Sequence, residues 1–241
     1  MRKVAIIPAR GGSKRIPRKN IKNFLGLPAI ERTLTAVKAS NFFDEISVST
    51  DDYEIGLVAI RAGATHLRLR EPALSDDFTP TVPVVADAIR ALSSERKFES
   101  LSGIAVCCIY PINPFLEISS IQTGYDLLVR FEDVDYVNPI CTYPYPVQRS
   151  LRKLRDNRVE LVEPELALAR TQDLEERFHD AGQWYWGMAD TWLAGKNLLE
   201  NSIGVELSHR HVQDIDTLED WTFAESLFRA MSQYPIEGEK K

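Results

Sequence analysis

Cysteine is scarce: the 241-residue chain holds three, two of them adjacent (Cys107, Cys108). That supply builds neither a disulfide framework nor a zinc spacing, and it points to a reducing, cytoplasmic setting. Long apolar runs are missing too. The longest, Ile104 to Ile112, is far shorter than the roughly 18 residues a membrane helix needs, so no membrane partner is expected. Met1-Arg2-Lys3 leads into a short apolar segment with no small-residue cleavage site, which argues against a signal peptide. Walker A and G-x-G-x-x-G patterns are both absent. A composition of 44% hydrophobic and 27% charged residues excludes disorder and collagen, and the length suits one domain with a modest insertion. The net charge of −6 argues against a general nucleic-acid partner, but it hides an asymmetry. No acidic residue precedes Glu31, whereas Arg2, Lys3, Arg10, Lys14, Arg15, Arg18, Lys19 and Lys22 crowd the start. Positive charge gathered beside glycines suits a compact anion.

Apolar runs and helical periodicities alternate along the first half. Val4 to Pro8 has strand length and opens straight into a polar, glycine-containing loop. Pro28 can start a helix, with Ile30, Leu34 and Val37 at helical spacing. Glu45 to Thr50 reads as a strand, Asp51-Asp52 as the cap of a helix reaching about Gly63, and His66 to Leu69 as a short strand. Thr79 and Pro80 open a helix carrying Val82, Val85, Ile89 and Leu92. Gly103 to Tyr110 is continuously apolar, as a strand covered on both faces requires. A helix over 117–131 and a strand over 134–141 complete the pattern. It predicts an α/β fold with a doubly wound, mostly parallel sheet.

Beyond residue 142 the rhythm breaks at Pro144, Pro146 and Pro164. Two strand-like pieces, 151–155 and 158–162, flank a turn at Asp156-Asn157. We therefore read 1–241 as a single domain with 142–180 as an insertion or arm. Gln183 to Met188 and Val205 to Leu207 read as further strands. The last helix, from Thr217 to about Met231, presents Leu218, Trp221, Ala224 and Leu227 on one face, and Glu237 to Lys241 is expected to fray.

Arg10-Gly11-Gly12-Ser13-Lys14 sits at the carboxyl end of the first strand, where α/β sheets bind ligands. Adjacent glycines let backbone N–H groups approach phosphate oxygens while Arg10, Lys14 and Lys19 offset their charge. A solvated basic loop is the plainer alternative. The stretch Ile7 to Asn20, IPARGGSKRIPRKN, resembles the nucleotide loop of the CMP-sialic acid synthetase (acylneuraminate cytidylyltransferase) family. The similarity continues through VSTDD (48–52), LSDDFTPT (74–81) and DIDTLED (214–220). It implies a nucleotide-diphospho-sugar-transferase-like fold and a Mg2+-dependent enzyme. Such an enzyme couples CMP from CTP to the anomeric hydroxyl of a nine-carbon (nonulosonic) 2-keto sugar acid and releases pyrophosphate. By the same resemblance Arg10 and Lys19 hold the triphosphate and act in catalysis, Asn20 sits beside the nucleotide, and the main chain from Ala9 through Gly11, Gly12 and Ser13 lines the phosphates. Thr79 and Tyr110 fall on the nucleotide side. The family pairs as homodimers, which makes 142–180 a candidate dimerisation arm.

Asp214-Ile215-Asp216 places two carboxylates on one face if the segment is extended. Mg2+ accepts one or two carboxylates plus substrate phosphates, and the segment resembles the family's metal motif. That resemblance makes Asp214 and Asp216 the expected metal ligands, with Asp216 also the first candidate for the base. Alternatively, Asp216 caps the helix that follows.

On the acceptor side, Arg70 offers a guanidinium for the sugar carboxylate. Thr81 either faces the ligand or caps its helix. Tyr110 stands where sialic acid enzymes carry an amide, in Tyr110-Pro111-Ile112-Asn113-Pro114-Phe115. Together with Pro146-Val147-Gln148-Arg149 and Asp180-Ala181-Gly182-Gln183-Trp184-Tyr185-Trp186, this is similar to the branch that uses pseudaminic acid, with sialic, legionaminic and 3-deoxy-manno-octulosonic acids as alternatives. Gln148, Arg149, Gln183 and Tyr185 are the expected substrate contacts. Trp184 and Trp186 line the acceptor site in this reading, or pack in the core with Tyr185 opposite. His209-Arg210-His211 lacks a third metal ligand and reads as an ion-paired segment, with His211 near Asp214. The rivals are a retaining glycosyltransferase with a D-x-D metal site, which would consume a nucleotide sugar and not CTP, and a non-catalytic module that binds RNA or polyphosphate through the basic stretch.

Overall fold

The alternation in the sequence produces an eight-stranded sheet in the computed structural model, which describes every residue except 97, 99 and 234–241. In chain order the strands are β1 (Arg2–Pro8), β2 (Asn23–Phe24), β3 (Leu27–Pro28), β4 (Glu45–Thr50), β5 (His66–Leu69) and β6 (Ile104–Ile109). They continue with β7 (Tyr136–Thr142), β8 (Leu151–Lys153), β9 (Val159–Leu161), β10 (Phe178–Asp180), β11 (Trp184–Met188) and β12 (Ser202–Glu206). The helices are α1 (Ala29–Ala39), α2 (Tyr53–Ala62), α3 (Thr81–Arg96), α4 (Ile118–Arg130), α5 (Ala189–Leu193) and α6 (Leu218–Gln233).

The main sheet runs β10-β7-β11-β6-β1-β4-β5, with β12 on the other side of β7. Strands β6, β1, β4 and β5 are mutually parallel, whereas β11 runs antiparallel between β6 and β7. Period-two alternation divides the core. Ala5, Ile7, Cys107 and Ile109 face one layer, packed with Ile30 of α1 and Ile121 of α4. Val4, Ile6, Val106 and Cys108 face the other, with Val85 of α3 and Trp192 of α5. A third cluster joins Ile16, Phe24, Phe115, Ile215 and Trp221, so the loop after β1 and the chain before α6 share one apolar plug.

Trp184 and Trp186 are core residues, not acceptor-site ones. They lie under α4, where their indole N–H groups donate to Ser120 Oγ (3.1 Å) and the Ile121 carbonyl (2.9 Å). Tyr185 points to the opposite layer. The arm is a β8–β9 hairpin with Asn157 in the left-handed region (φ 67°), but it ends earlier than expected. Residues Phe178–Asp180 have joined the main sheet as β10, antiparallel to β7. In the last helix Trp221 and Ala224 are buried, yet Leu218 is 57% exposed because it occupies the first, outward-facing turn. The tail from Glu237 lies outside the described residues. Among those residues no helix is long and apolar enough to cross a membrane.

Gly124 lets α4 lie on β11: a Cβ there would sit 2.5 Å from Trp184 Cη2. Gly124→Val should therefore cost about 1–3 kcal/mol of stability in urea unfolding. A loss below about 0.5 kcal/mol would contradict this packing.

Candidate active site

Two cavities open at the carboxyl ends of β1 and β6, where the sheet's parallel part gives way to β11. The first, about 270 Å³, is walled by Arg10, Ser13, Lys14, Arg15, Arg70 and Asp216, among others. The second, about 360 Å³, is walled by Asn113, Asp180, Gln183, Tyr185 and Asp214, among others. Lys19, Asn20 and Tyr110 line both.

The loop after β1 is held from below by the end of β4. Ala9 N–H donates to the Ser49 carbonyl (2.8 Å), and Gly11 N–H donates to Asp51 Oδ1 (2.7 Å). A Cβ on Gly11 would lie 2.8 Å from Asp52 Oδ2, so the close approach requires glycine. Asp52 caps α2 through the N–H groups of Glu54 and Ile55 and also pairs with Arg18 at 3.1 Å. Arg18 takes a left-handed backbone (φ 54°) that starts the 3-10 turn Lys19–Ile21 and brings Lys19 and Asn20 to the cavity walls. Asn20 is buried and donates from Nδ2 to the Arg10 carbonyl (2.7 Å). Ala9 is fully buried, and Ala9, Gly11 and Gly12 are not on the walls; of the expected main-chain group only Ser13 is.

Arg10, Lys14, Arg15, Arg18 and Lys19 of this loop each meet a carboxylate. Arg10 Nη1 contacts Asp77 Oδ1 at 2.6 Å and the Asp76 carbonyl at 3.2 Å, and Lys14 pairs with the same Asp77. The Lys14 ammonium, then the Arg10 guanidinium, hold the Asp77 carboxyl below its ordinary range. Arg15 lies 2.6 Å from Asp216 Oδ2. Lys19 Nζ donates to the Ile215 carbonyl (2.6 Å) and lies 3.3 Å from Asp216 Oδ1.

Asp216 is not the helix cap. Thr217 and Asp220 cap α6 reciprocally: Asp220 N–H donates to Thr217 Oγ1 (3.2 Å), and Thr217 N–H donates to Asp220 Oδ2 (2.8 Å). That leaves the Asp216 carboxylate for the cavity. Burial, then the neighbouring Asp216, push the Asp214 carboxyl above its ordinary value. The folded chain thus holds that proton more tightly than the unfolded one. The Asp214 charge weighs against folding above its raised value, and the penalty fades as pH falls through it. Among the described residues no group of three or more His, Cys, Asp or Glu is placed to hold a metal. Two repelling carboxylates still suit Mg2+, which takes its remaining ligands from phosphates and water.

Tyr110 and Tyr185 form the wall opposite, ring centroids 5.5 Å apart. Tyr110 Oη lies 2.9 Å from Thr81 Oγ1, and Tyr185 Oη donates to Asp180 Oδ2 (2.7 Å). Burial raises both phenols. The Thr79 hydroxyl lines the first cavity but is already engaged with Asp76 Oδ1 at 2.7 Å. α3 begins at Thr81, not at Thr79.

Several expected residues lie elsewhere. Arg70, expected on the sugar side, lines the first cavity, where it donates to the Ser49 and Leu74 carbonyls (3.1 and 3.2 Å) and burial lowers its pKa. Gln148 and Arg149 line neither cavity. Within this chain they tie the arm together through the Glu175 carbonyl (2.6 Å) and the Ala169 carbonyl (2.9 Å). His211 pairs with Glu117 (2.5 Å). Asp51, Asp77, Asn113 and Asp180 stood in the motifs read from the sequence but were not among its expected site residues. For Asn113 a signal existed: a polar residue between Pro111 and Pro114, directly after the central strand.

A cytidylyltransferase family profile matches residues 4–138. The pseudaminic acid cytidylyltransferase of Campylobacter jejuni is 36% identical, with 95% of this chain and 97% of that protein aligned. The CMP-N,N'-diacetyllegionaminic acid synthase of Legionella pneumophila is 32% identical over 94% and 96%. Among solved structures, a CMP:2-keto-3-deoxy-manno-octonic acid synthetase complexed with CTP superimposes with TM-score 0.67. It is 15% identical and covers 97% of this chain and 99% of its own, a likeness that establishes the fold.

Asp77 occupies two cations that a phosphate chain would also contact. Asp77→Asn should therefore bind inorganic tripolyphosphate about three- to tenfold more tightly in calorimetry. Equal or weaker binding would contradict the competition.

Proposed function

As this chain belongs to the cytidylyltransferase family, we propose that it transfers CMP from CTP to the anomeric hydroxyl of a nine-carbon 2-keto sugar acid, pseudaminic acid. The observation that carries this reading is the contact of Lys19, which lines both cavities, with Asp216, which lines the first. One cavity is lined by several cations suited to phosphates, the other, Lys19 apart, by neutral and acidic groups suited to a polar acceptor. A nucleotide in the first and a sugar acid in the second would meet at Lys19.

In this assignment the acceptor hydroxyl oxygen forms a bond to the α-phosphorus while the bond from that phosphorus to the bridging oxygen of pyrophosphate breaks. Arg10, Lys14 and Arg15 receive the charge that develops on the leaving pyrophosphate. Lys19 stays beside the reacting phosphate. The hydroxyl proton has the carboxylates of Asp214 and Asp216 within the same site to accept it. Those two carboxylates would also hold Mg2+, which supplies charge stabilisation on the phosphates. Tyr110 separates the nucleotide side from the acceptor side, and Asn20, fixed on the Arg10 carbonyl, keeps the loop in register with both.

Identity of 36% along nearly the whole chain supports pseudaminic acid over the legionaminic alternative at 32%. The arm exposes Tyr145 and Leu168 at 82% and 96%, with Leu151, Val159 and Val162 also outward. Such apolar surface fits a homodimer in which arms pair, and the exposed Arg149 would then act across the interface, whereas Gln148 is buried within the arm. Consumption of CTP fits a cytoplasmic site of action.

Incubation with CTP, Mg2+ and separate sugar acids should release pyrophosphate, fastest with pseudaminic acid. Asp216→Asn should lose at least about a hundredfold in kcat with little change in Tm. Silence with every acid, or near-normal turnover by Asp216→Asn, would overturn the reading.

A further inference from the structure

The acceptor-side cavity carries two buried amide groups with unspent hydrogen-bonding capacity. Asn113 is 6% exposed and Gln183 is 5% exposed, and both line this cavity. Asn113 Nδ2, a donor, has no partner; neither does Gln183 Oε1, an acceptor. Each residue is otherwise fixed. Gln183 donates from Nε2 to the His211 carbonyl, which settles which end of its amide is left over. Its own carbonyl accepts from Tyr110 N–H at 2.9 Å. Asn113 N–H donates to Thr33 Oγ1 (3.1 Å), and that hydroxyl donates to the Pro111 carbonyl (2.9 Å). Buried donors and acceptors are normally paired, so an orphan of each sign beside one cavity points to a ligand that completes both.

The chemistry of that ligand group follows from the two signs. A carboxylate supplies acceptors alone, so it would leave Gln183 Oε1 unmet and face Asp180 as a like charge. An ammonium supplies donors alone and would leave Asn113 Nδ2 unmet. A secondary amide supplies one N–H and one C=O in fixed relation. Pro111, Ile112 and Ala181 on the same wall offer apolar contact to an acyl methyl group. Among the described residues lining this cavity the one cation is Lys19, so the carboxylate end of an acceptor belongs there.

We propose that Asn113 and Gln183 form an amide-recognition pair that selects sugar acids bearing an acylamino group, reading its C=O and N–H respectively. This rests on the acceptor assignment made above. Recognition of cytosine by the same two atoms would be a different assignment, and the test separates them.

The experiment compares wild type, Asn113→Leu and Asn113→Asp with two acceptors: the acylamino sugar acid and its analogue carrying hydroxyls in place of the acylamino groups. Wild type should favour the acylamino acid by at least about tenfold in kcat/KM. Both variants should lose about tenfold with that acid and little with the analogue, while the KM for CTP stays within about twofold. Because the Asn113 donor is unpaired without substrate, Asn113→Leu should keep or raise Tm, which a structural asparagine would not allow. Equal losses with both acceptors, a shifted KM for CTP, or a large drop in Tm with selectivity intact would overturn the pair. No pyrophosphate from wild type with any acid overturns the acceptor assignment, and this inference with it.

Discussion

Lys19 fastens the beginning of the chain to its end. Its ammonium donates to the Ile215 carbonyl at 2.6 Å and lies 3.3 Å from Asp216 Oδ1, across a sequence separation of almost two hundred residues. Ile215, between the two acidic residues, turns the other way and fills the apolar plug with Ile16, Phe24 and Trp221. Charged and apolar contacts thus fix one segment from both faces. Without them the Asp-Ile-Asp segment would be an ordinary approach to α6, and neither cavity would have its shared rim.

The loop cations are balanced before any nucleotide arrives. Arg10 and Lys14 share Asp77, Arg15 and Lys19 share Asp216, and Arg18 pairs with Asp52 and Glu54. Exposed pairs of this type are worth about 0–1 kcal/mol each, so they order the loop without locking it. A triphosphate, with several charges on one scaffold, can exchange for them one at a time. The net charge of −6 therefore says little about partners, whereas the position of each carboxylate says a great deal.

Local signals in the sequence were sufficient for most elements. β4 and β5 have the expected boundaries, and Asp52 and Gly63 bracket α2 because capping is a local property. That the basic loop after the first strand lines a cavity was legible from charge and glycine placement. What depended on register was not. The sharing of β7 between β10 and β11 decides which residues of 180–186 face the second cavity, and it sends both tryptophans into the core. Arg70 went to the other cavity because its main-chain N–H continues the β4 ladder at Thr50, a pairing no spacing reveals. Asp77 matters through Arg10 and Lys14, distant in sequence, so nothing near it announced its place, whereas Asn113 between Pro111 and Pro114 did carry a local signal.

The most direct test of the proposed site is a double-mutant cycle on Lys19→Gln and Asp216→Asn, read as kcat/KM for CMP transfer. If the two side chains act as one unit on the shared rim, the double variant should be no more than about threefold worse than the more damaged single variant. Losses that multiply would mean that the residues act independently, and would contradict the account.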